Sequence, residues 1–330
     1  MEQITTAADL HHDSIIIDGL NASWFMSDGV IERIHRGGAT AVNATIAAWH
    51  NPEDTLDMIG RMIQQVDRHS SIAMLVRSTS DIHAAKAAGK TGYILGFQDT
   101  NPISDKLSLL RAYHVLGVRI IQLTYNFENR VGFGCQAPED RGLTAFGREV
   151  VAEMNHLGIL IDLSHCGQRT TLDAVDRSEK PVAITHSNAA AQFPHPRNKT
   201  DEALKACAAR GGVIGALSFP AMLTPNLPAT VDDYVGAIDF LVERVGVDHV
   251  GIGPDFMEEM PEEVVRVVLS GLPLDVISFM QSIPPVQGFS SAADLPNVTA
   301  GLLARGYSPA DVQKIMGGNW LRLYGEVWCD

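Results

Sequence analysis

The sequence contains little positive charge and no long apolar segment. Its 25 lysines and arginines are outnumbered by 39 aspartates and glutamates, which gives a formal net charge of −14. This balance argues against nucleic-acid binding, because no stripe of basic residues is left to neutralise phosphates. No apolar stretch approaches the roughly 18 residues that cross a membrane. The first residues, MEQITTAADLHHDS, also lack the basic and apolar regions of a secretory signal.

Cysteine is scarce, and the chain has no CxxC pair. The four cysteines are Cys135, Cys166, Cys207 and Cys329. Scattered cysteines without a paired motif are typical of reduced thiols, so we expect a cytoplasmic protein. Hydrophobic residues make up 45% of the chain and charged residues 19%. Such a chain can bury a large core, which excludes a disordered protein.

What is present is a repeated alternation of short apolar runs with longer helical patterns. The runs are continuously apolar, which is typical of parallel strands covered on both faces. They are SIIID (14–18), ATAVNATIA (39–47), GYILGFQ (92–98), GVRIIQLTY (117–125), GILIDLSH (158–165), PVAITHS (181–187), GGVIGALSF (211–219) and HVGIGPDF (249–256).

Helical patterns fall between these runs. The clearest cover residues 52–69, 80–89, 104–117, 143–158 and 230–246. The first opens with proline and acidic residues, which suit a first helical turn, and the others run from a serine or threonine cap to a glycine. Eight strands alternating with helices predict an α/β fold of the (β/α)₈ TIM barrel type. A doubly wound sheet is the alternative.

No repeat, composition shift or Pro/Ser-rich linker marks a domain boundary. We therefore predict a single domain over residues 1–330. Residues 257–300 contain several prolines and a broken helical pattern. We interpret them as an insertion after the eighth strand, which caps the C-terminal end of the barrel and acts as a lid.

The chemistry of such barrels lies at the C-terminal ends of the strands. Here those ends carry Leu20 and Ala22, Asn43, Gln98, Thr124 and Tyr125, His165, His186, Ser218 and Asp255. A single histidine or aspartate after an apolar strand is usually structural. Two histidines and an aspartate at equivalent ends of three strands are harder to explain by packing. Two neutral imidazoles and a carboxylate suit a divalent metal such as zinc.

Segments around these residues resemble a known family. They are DLSHCG (162–167), ITHSNAAA (184–191) followed by HPRNKTDEAL (195–204), GIGPDF (251–256) and GGNWLRLY (317–324). In order and spacing, from Asp18-Gly19 to Tyr324, the chain resembles the membrane (renal-type) dipeptidases of peptidase family M19. The resemblance implies a metallopeptidase on an amidohydrolase-type barrel, and it suggests a homodimer.

The resemblance also implies roles for four residues. His165 and His186 match histidines that bind one metal of a zinc pair. Arg197 matches an arginine that holds the C-terminal carboxylate of the substrate. Asp255 matches an aspartate that handles protons around the scissile amide.

The chain departs from the family pattern at neighbouring strand ends. The first strand of the family ordinarily ends Asp-Gly-His-x-Asp, whereas this chain has Leu20 and Ala22 at the ligand positions. Gln98 stands where the family has a bridging glutamate, and Tyr125 where a histidine faces the substrate carbonyl. A leucine binds no metal, and an uncharged amide is a poor bridge between two cations. We therefore expect no second zinc site.

Two interpretations of the site remain. In the first, one divalent metal binds His165 and His186, and Asp255 and the side-chain carbonyl of Gln98 assist. The metal activates a water that hydrolyses a small amide with a free carboxylate, such as a dipeptide or an N-acyl amino acid. In the second, no metal binds, and the pocket performs non-hydrolytic acid–base chemistry or binds a carboxylate ligand.

The remaining site residues are assigned within the first interpretation. Asp255 and Tyr125 are the predicted catalytic residues, with Tyr125 donating a hydrogen bond to the oxyanion in place of the missing cation. Arg197, Gln98 and Asn21 are the predicted substrate-binding residues. The expected partner is a small molecule with a carboxylate, and neither a nucleic acid nor a membrane.

Overall fold

The computed structural model describes residues 6–269 and 272–328. Its strands in these ranges are β1 (Ile17–Asn21), β2 (Ala41–Ala47), β3 (Ala73–Val76), β4 (Thr91–Phe97), β5 (Val118–Gln122), β6 (Leu160–Asp162), β7 (Ala183–Ile184), β8 (Val213–Ala216) and β9 (Val250–Ile252). All pairs are parallel, and eight of these described strands follow one another in the order β1-β2-β4-β5-β6-β7-β8-β9. A bridge between Asn21 and Phe256 closes the ring. The predicted (β/α)₈ barrel is confirmed, and each predicted run overlaps one barrel strand.

Strand β3 has no counterpart among the predicted strands. It pairs with the first half of β4, from Thr91 to Ile94, whereas β5 pairs with the second half, from Leu95 to Phe97. Because β2 occupies the other edge of β4, β3 and β5 share one edge. Strand β3 therefore needs only four residues and stands outside the ring of eight.

Helices connect the strands and form the outer layer. They are α1 (Ala7–Asp13), α2 (Asp28–Arg36), α3 (Pro52–Arg68), α4 (Thr79–Ala87), α5 (Ser108–Leu116), α6 (Ala145–Leu157), α7 (Gln168–Arg177), α8 (Asp201–Ala209), α9 (Val231–Val245), α10 (Glu262–Val268), α11 (Leu274–Ser282), α12 (Leu295–Ala304), α13 (Pro309–Gln313) and α14 (Asn319–Val327). None of the helices in the described ranges has the length and apolar composition that a membrane crossing requires.

The helix ends largely follow the predicted capping residues. Helix α6 starts after Thr144, whose hydroxyl accepts a hydrogen bond from the backbone N–H of Gly147, and it ends at Gly158 in the left-handed region (φ 72°). Two starts differ. The cap of α4 is Ser78, and α5 begins only at Ser108 because a 3₁₀ turn over Asn101–Ile103 comes first.

Helix α14 closes the N-terminal end of the barrel. Trp320 and Tyr324 of this helix belong to one buried hydrophobic cluster. Its members from the barrel strands include Ile17, Ile94, Ile120, Leu160, Ala183 and Val213. The indole N–H of Trp320 donates to the backbone carbonyl of Ile252 over 3.0 Å. The ring lies so close to Gly19 that a Cβ there would be 2.5 Å from a ring carbon. This contact explains the glycine in the Asp18-Gly19 pair, and it leaves the C-terminal end of the barrel for ligands.

Helices α10 and α11 cover that C-terminal end. Val265 and Leu269, with Val276 and Met280 of α11, line the same cavity as His165. Helix α12, although it begins within residues 257–300, instead joins the outer layer. There Thr299 bonds to the Nδ1 atom of His11 in α1 over 2.7 Å, and Arg305 forms salt bridges with Asp232 and Asp239 of α9.

The described cysteines are unpaired. Cys135, Cys166 and Cys207 are free thiols, and burial raises the pKa of each. Cys329 lies outside the described residues.

Candidate active site

The barrel brings His165, His186 and Arg197 together at its C-terminal end. The Nε2 atoms of the two histidines are 3.0 Å apart. His165, Arg197 and Asp255 line one cavity of about 200 Å³, which we call the histidine chamber. His186 is fully buried immediately behind it. The predicted convergence of strand ends is therefore present in the fold.

Two neighbours fix the orientation of His165. Its Nδ1 atom bonds to the side-chain oxygen of Asn126 over 2.8 Å. The ring of Tyr125 stacks on the imidazole with ring centroids 4.0 Å apart and planes inclined by 20°. Trp49 in turn contacts Tyr125 edge-to-face at 4.4 Å. Because Asn126 presents an acceptor, the proton of the neutral imidazole is on Nδ1.

A buried carboxylate orients His186 through a hydroxyl. Asp162 accepts a hydrogen bond of 2.7 Å from the hydroxyl of Thr185, and the Nδ1 atom of His186 lies 2.8 Å from the same hydroxyl oxygen. Since that hydroxyl gives its proton to Asp162, it accepts from Nδ1 of His186. Asp162 also accepts from the hydroxyl of Ser164 over 2.6 Å. The proton of His186 is thus on Nδ1 as well.

This arrangement fits a divalent metal. Both Nε2 atoms carry lone pairs, and two acceptors 3.0 Å apart cannot hydrogen-bond to each other. A cation bound by both lone pairs would remove the repulsion between these two nitrogens. Neutral imidazole with a fixed Nδ1 partner is also the usual form of a zinc-binding histidine. Among the described residues, however, no group of three histidine, cysteine, aspartate or glutamate side chains could hold a metal. The protein thus offers two ligands of this kind.

The local electrostatics keep both histidines neutral. Burial lowers the pKa of His165 and His186 well below the usual range, and the positive charge of Arg197 lowers both further. Lys199 adds to this effect. Its buried ammonium group donates to the backbone carbonyl of Cys166 over 2.5 Å, and burial lowers its own pKa to about 8.

Arg197 is a buried cation, with 1% of its surface exposed. Its Nη1 donates to the backbone carbonyl of Ser164 and its Nη2 to that of His186, each over 2.6 Å. No salt bridge joins it to an acidic side chain in the described ranges. Since a guanidinium has five N–H donors, each Nη atom retains a second N–H, and the side chain lines the histidine chamber.

Asp255 lies in the histidine chamber with an unusual backbone conformation. Its φ of 62° falls in the left-handed region, which is uncommon for an aspartate, and its N–H donates to the carbonyl of Leu20 over 3.1 Å. Burial raises the pKa of its carboxyl to about 7, whereas the charge of Arg197 acts to lower it. The group can therefore exchange protons near neutral pH.

Other predicted site residues lie elsewhere. Gln98 and Ala22 line a second cavity of about 500 Å³, which we call the apolar chamber. Asn21 is fully buried and lines neither chamber. Its amide group donates to Asp18 over 3.0 Å and accepts from the N–H of Ser23. Its side chain is thus used within its own turn, and the role of Asn21 in substrate binding stays a prediction. Leu20 is buried and lines neither chamber.

Residues that orient the histidines were not predicted. Asp162 and Thr185 belong to the quoted motifs DLSHCG and ITHSNAAA, and Asn126 follows Tyr125 directly. Their position in the sequence, next to predicted site residues, could have indicated that they belong to the site. Their hydrogen-bond partners follow only from side-chain geometry.

Comparisons with known proteins agree with this fold. A family model, membrane dipeptidase (peptidase family M19), matches residues 6–268. Dipeptidase tcpJ of Claviceps purpurea is 32% identical over 278 residues, which cover 83% of this chain and 60% of that protein. The chain therefore matches less than two thirds of the length of that relative.

Comparisons with solved structures agree on the fold. An amidohydrolase from Pseudomonas aeruginosa is 38% identical, with a TM-score of 0.92 and coverage of 98% of this chain and 99% of that one. A metallopeptidase from Rhodobacter sphaeroides, solved with a phosphinate mimic of the dipeptide L-Ala-D-Ala, has a TM-score of 0.80 at 22% identity, and the match covers 96% of this chain and 100% of that one. At that identity the second likeness concerns the fold alone.

The fold is an amidohydrolase-type (β/α)₈ barrel. Within that class, the chain belongs to the membrane dipeptidase family, peptidase family M19. The resemblance seen in the sequence is confirmed, and the family is one of dipeptidase-type hydrolases.

Proposed function

We propose that this chain is a metal-assisted hydrolase of small amides with a free carboxylate, such as dipeptides or N-acyl amino acids. The observation that carries the proposal is the pair of Nε2 lone pairs, 3.0 Å apart on His165 and His186. Arg197, a buried cation, and Asp255 line the chamber beside them.

His165 and His186 are the proposed ligands of a single divalent metal, for which zinc suits the imidazole donors. When bound, such a metal supplies Lewis-acid activation of water and of the amide carbonyl. The ligand set is small for a zinc enzyme, so we propose one metal per chain. A second metal is not expected, because Ala22 and Gln98 provide no charge.

Arg197 binds the carboxylate of the substrate through the N–H groups that it does not donate to the backbone. A guanidinium forms charge-assisted, two-point hydrogen bonds with a carboxylate. Its existing bonds to Ser164 and His186 hold it in place. This contact sets the position of the adjacent amide.

Asp255 and Tyr125 handle the protons and the developing charge. As a carboxylate, Asp255 accepts a proton from the attacking water, and as an acid it delivers that proton to the leaving amine; its pKa of about 7 suits both steps. Burial raises the pKa of Tyr125, so its hydroxyl keeps its proton. That hydroxyl is the proposed donor to the oxyanion.

A second function is favoured by one observation. The described residues contain no cluster of three metal-ligating side chains of the usual types. A weak metal site on the same scaffold suits a protein that binds a carboxylate ligand on Arg197 and catalyses no hydrolysis.

One experiment separates the two functions. Protein purified without chelators is analysed for metal by mass spectrometry and tested on a panel of dipeptides and N-acyl amino acids. We expect one zinc per chain and hydrolysis, both lost in His186→Asn and retained in His156→Asn, an exposed histidine of α6. A protein without metal or hydrolysis that still binds carboxylates would instead be the binding protein.

The assembly and the location are separate proposals. We propose a homodimer, on the strength of the family resemblance, and a cytoplasmic location, on the strength of the unpaired cysteines. Light scattering after size-exclusion chromatography tests the first, and fractionation of source cells tests the second.

A further inference from the structure

The apolar chamber lies at the strand ends where this chain departs from its family. It measures about 500 Å³, against about 200 Å³ for the histidine chamber. Its floor consists of Ala22, Thr45, Ala47 and Gln98. These residues stand at the ends of β1, β2 and β4, and none of them carries a charge.

Large apolar side chains form the walls of this chamber. They are Trp24, Trp49, Met58, Met257, Met260 and Val264. Aromatic rings and thioethers offer broad, polarizable contact surfaces for an apolar group. A cavity of this volume falls within the range of small-molecule sites and accommodates a ring or a medium-length acyl chain.

Apart from Asp255, which lines both chambers, the charged residues of the apolar chamber are at its edges. Asp54, Asp57 and Glu263 are exposed, and the guanidinium of Arg61 lies over the ring of Trp24 at 5.6 Å. Exposed charges remain hydrated and do not offset the burial of a cation at the floor.

Gln98 gives the floor its polar character. Its side chain is 4% exposed, and its Nε2 donates to the hydroxyl of Thr45 over 3.0 Å. Its Oε1 has no hydrogen-bond partner among the described residues. An unpaired buried acceptor favours a ligand that brings an N–H or O–H group, but a neutral amide oxygen does not neutralise a buried cation.

The two chambers meet at Tyr125, Asp255 and Met257, which line both. A substrate with its carboxylate on Arg197 therefore has its amide at this junction, beside Asp255. Its acyl side then enters the apolar chamber.

We propose that the apolar chamber selects substrates whose acyl side is a large uncharged group. The chain then prefers amino acids with aromatic or medium-chain N-acyl groups to dipeptides with a free α-ammonium. This inference rests on the proposed hydrolysis and names its substrate class. An α-ammonium would enter the chamber two bonds from the scissile carbonyl carbon and lose its water. Of the lining residues that are not exposed, Asp255 alone could offer it a negative charge, and Asp255 is engaged in proton transfer; Gln98 offers a neutral acceptor.

The test uses matched compounds that differ only in the ammonium group. Phe-Ala is compared with 3-phenylpropanoyl-Ala, each with L- and D-alanine, as substrates of the zinc-loaded protein. Ketomethylene analogues of both compounds, in which CH₂ replaces the amide N–H, cannot be hydrolysed and give dissociation constants by calorimetry. We expect the compound without the ammonium to show at least a tenfold higher kcat/KM and, as its analogue, at least tenfold tighter binding.

Charge variants sharpen the comparison. Gln98→Glu places a carboxylate on the floor and should reduce or reverse the preference in the binding measurement. Gln313→Glu makes the same change at an exposed position of α13 and should leave the preference unchanged.

The outcomes distinguish this inference from the hydrolysis on which it rests. If the analogues show the preference but neither amide is cleaved, the chamber assignment stands and the hydrolysis is wrong. If both amides are cleaved and the ammonium compound is bound equally or more tightly, the inference is wrong and the hydrolysis stands. Absence of binding by both analogues at millimolar concentration also overturns the inference.

Discussion

The guanidinium of Arg197 donates a hydrogen bond of 2.6 Å to the backbone carbonyl of His186. An equal bond reaches the carbonyl of Ser164, the residue before His165. The cation is thus anchored to the two strand ends that carry the imidazoles. A carboxylate held by Arg197 has a fixed position relative to both histidines.

We expect Arg197→Lys to raise KM about tenfold to a hundredfold. The lysine keeps the charge but loses the two-point contact with a carboxylate and the links to both carbonyls, and bonds to charged groups contribute about 1.5–3 kcal/mol. Steady-state kinetics checks this. Arg210→Lys is the matched control, because Arg210 also donates to a backbone carbonyl, that of Ser178, outside the chambers. An unchanged KM would leave Arg197 a structural residue.

Thr185→Val should weaken zinc binding roughly tenfold to a hundredfold, the usual effect of losing a partner that orients a metal ligand. Valine has the shape of threonine but cannot connect Asp162 to His186. Competition with a zinc chelator measures the affinity. Thr185→Ser keeps the hydroxyl and should restore most of it. Equal affinities for the valine and threonine proteins would show that this connection does not position His186.

Because of the buried carboxyl of Asp18, we expect the free energy of unfolding to depend on pH. Burial raises the pKa of its carboxyl to about 8, although hydrogen bonds from Asn21 and Leu20 act to lower it. The folded chain therefore keeps a proton that the unfolded chain releases above about pH 4. This stabilisation is complete below about pH 4 and is lost as the pH rises through the folded value.

Urea unfolding of the native protein and of Asp18→Asn between pH 5 and pH 8 measures this effect. We expect the free energy of unfolding of the native protein to fall more steeply, by roughly 1 kcal/mol per pH unit. Parallel pH profiles would contradict the assignment to Asp18.

Restoring the charged family residues tests whether the apolar chamber has a use of its own. In the triple variant Leu20→His, Ala22→Asp and Gln98→Glu, the new charges lack established partners and are costly to bury. We expect one metal per chain, a lower free energy of unfolding and less native activity. Metal analysis, urea unfolding and the amide panel measure these quantities. The opposite result would be a stable variant with two metals and strong dipeptidase activity, where the native protein has no activity. It would show that the native chain is a dipeptidase that has lost its two-metal site.

Much of the fold follows from continuous apolar runs, because each barrel strand is covered on both faces. Strand β3 could not be predicted in this way, since its four residues pair with only half of β4. The start of α5 also differs, because the 3₁₀ turn before it depends on Pro102 and on the positive φ of Ser104. Short local structures of this kind carry little periodic signal.

The predicted site followed strand ends and motif positions. These place His165, Arg197 and Asp255 at one cavity, because the ends of parallel strands meet at one edge. They do not show side-chain direction. Asn21 is the last residue of β1, yet its amide turns back to Asp18, and Asn126 orients His165 from a loop.

The position of Trp320 determines which end of the barrel is left for ligands. With the indole filling the base of the barrel, we expect the proposed substrate to enter and both products to leave at the C-terminal end, where α10 and α11 lie. In the proposed hydrolysis, the acyl product in the apolar chamber and the amine product on Arg197 leave at this same end. We therefore expect product release past these two helices to limit turnover in the proposed hydrolysis when the chemical step is fast.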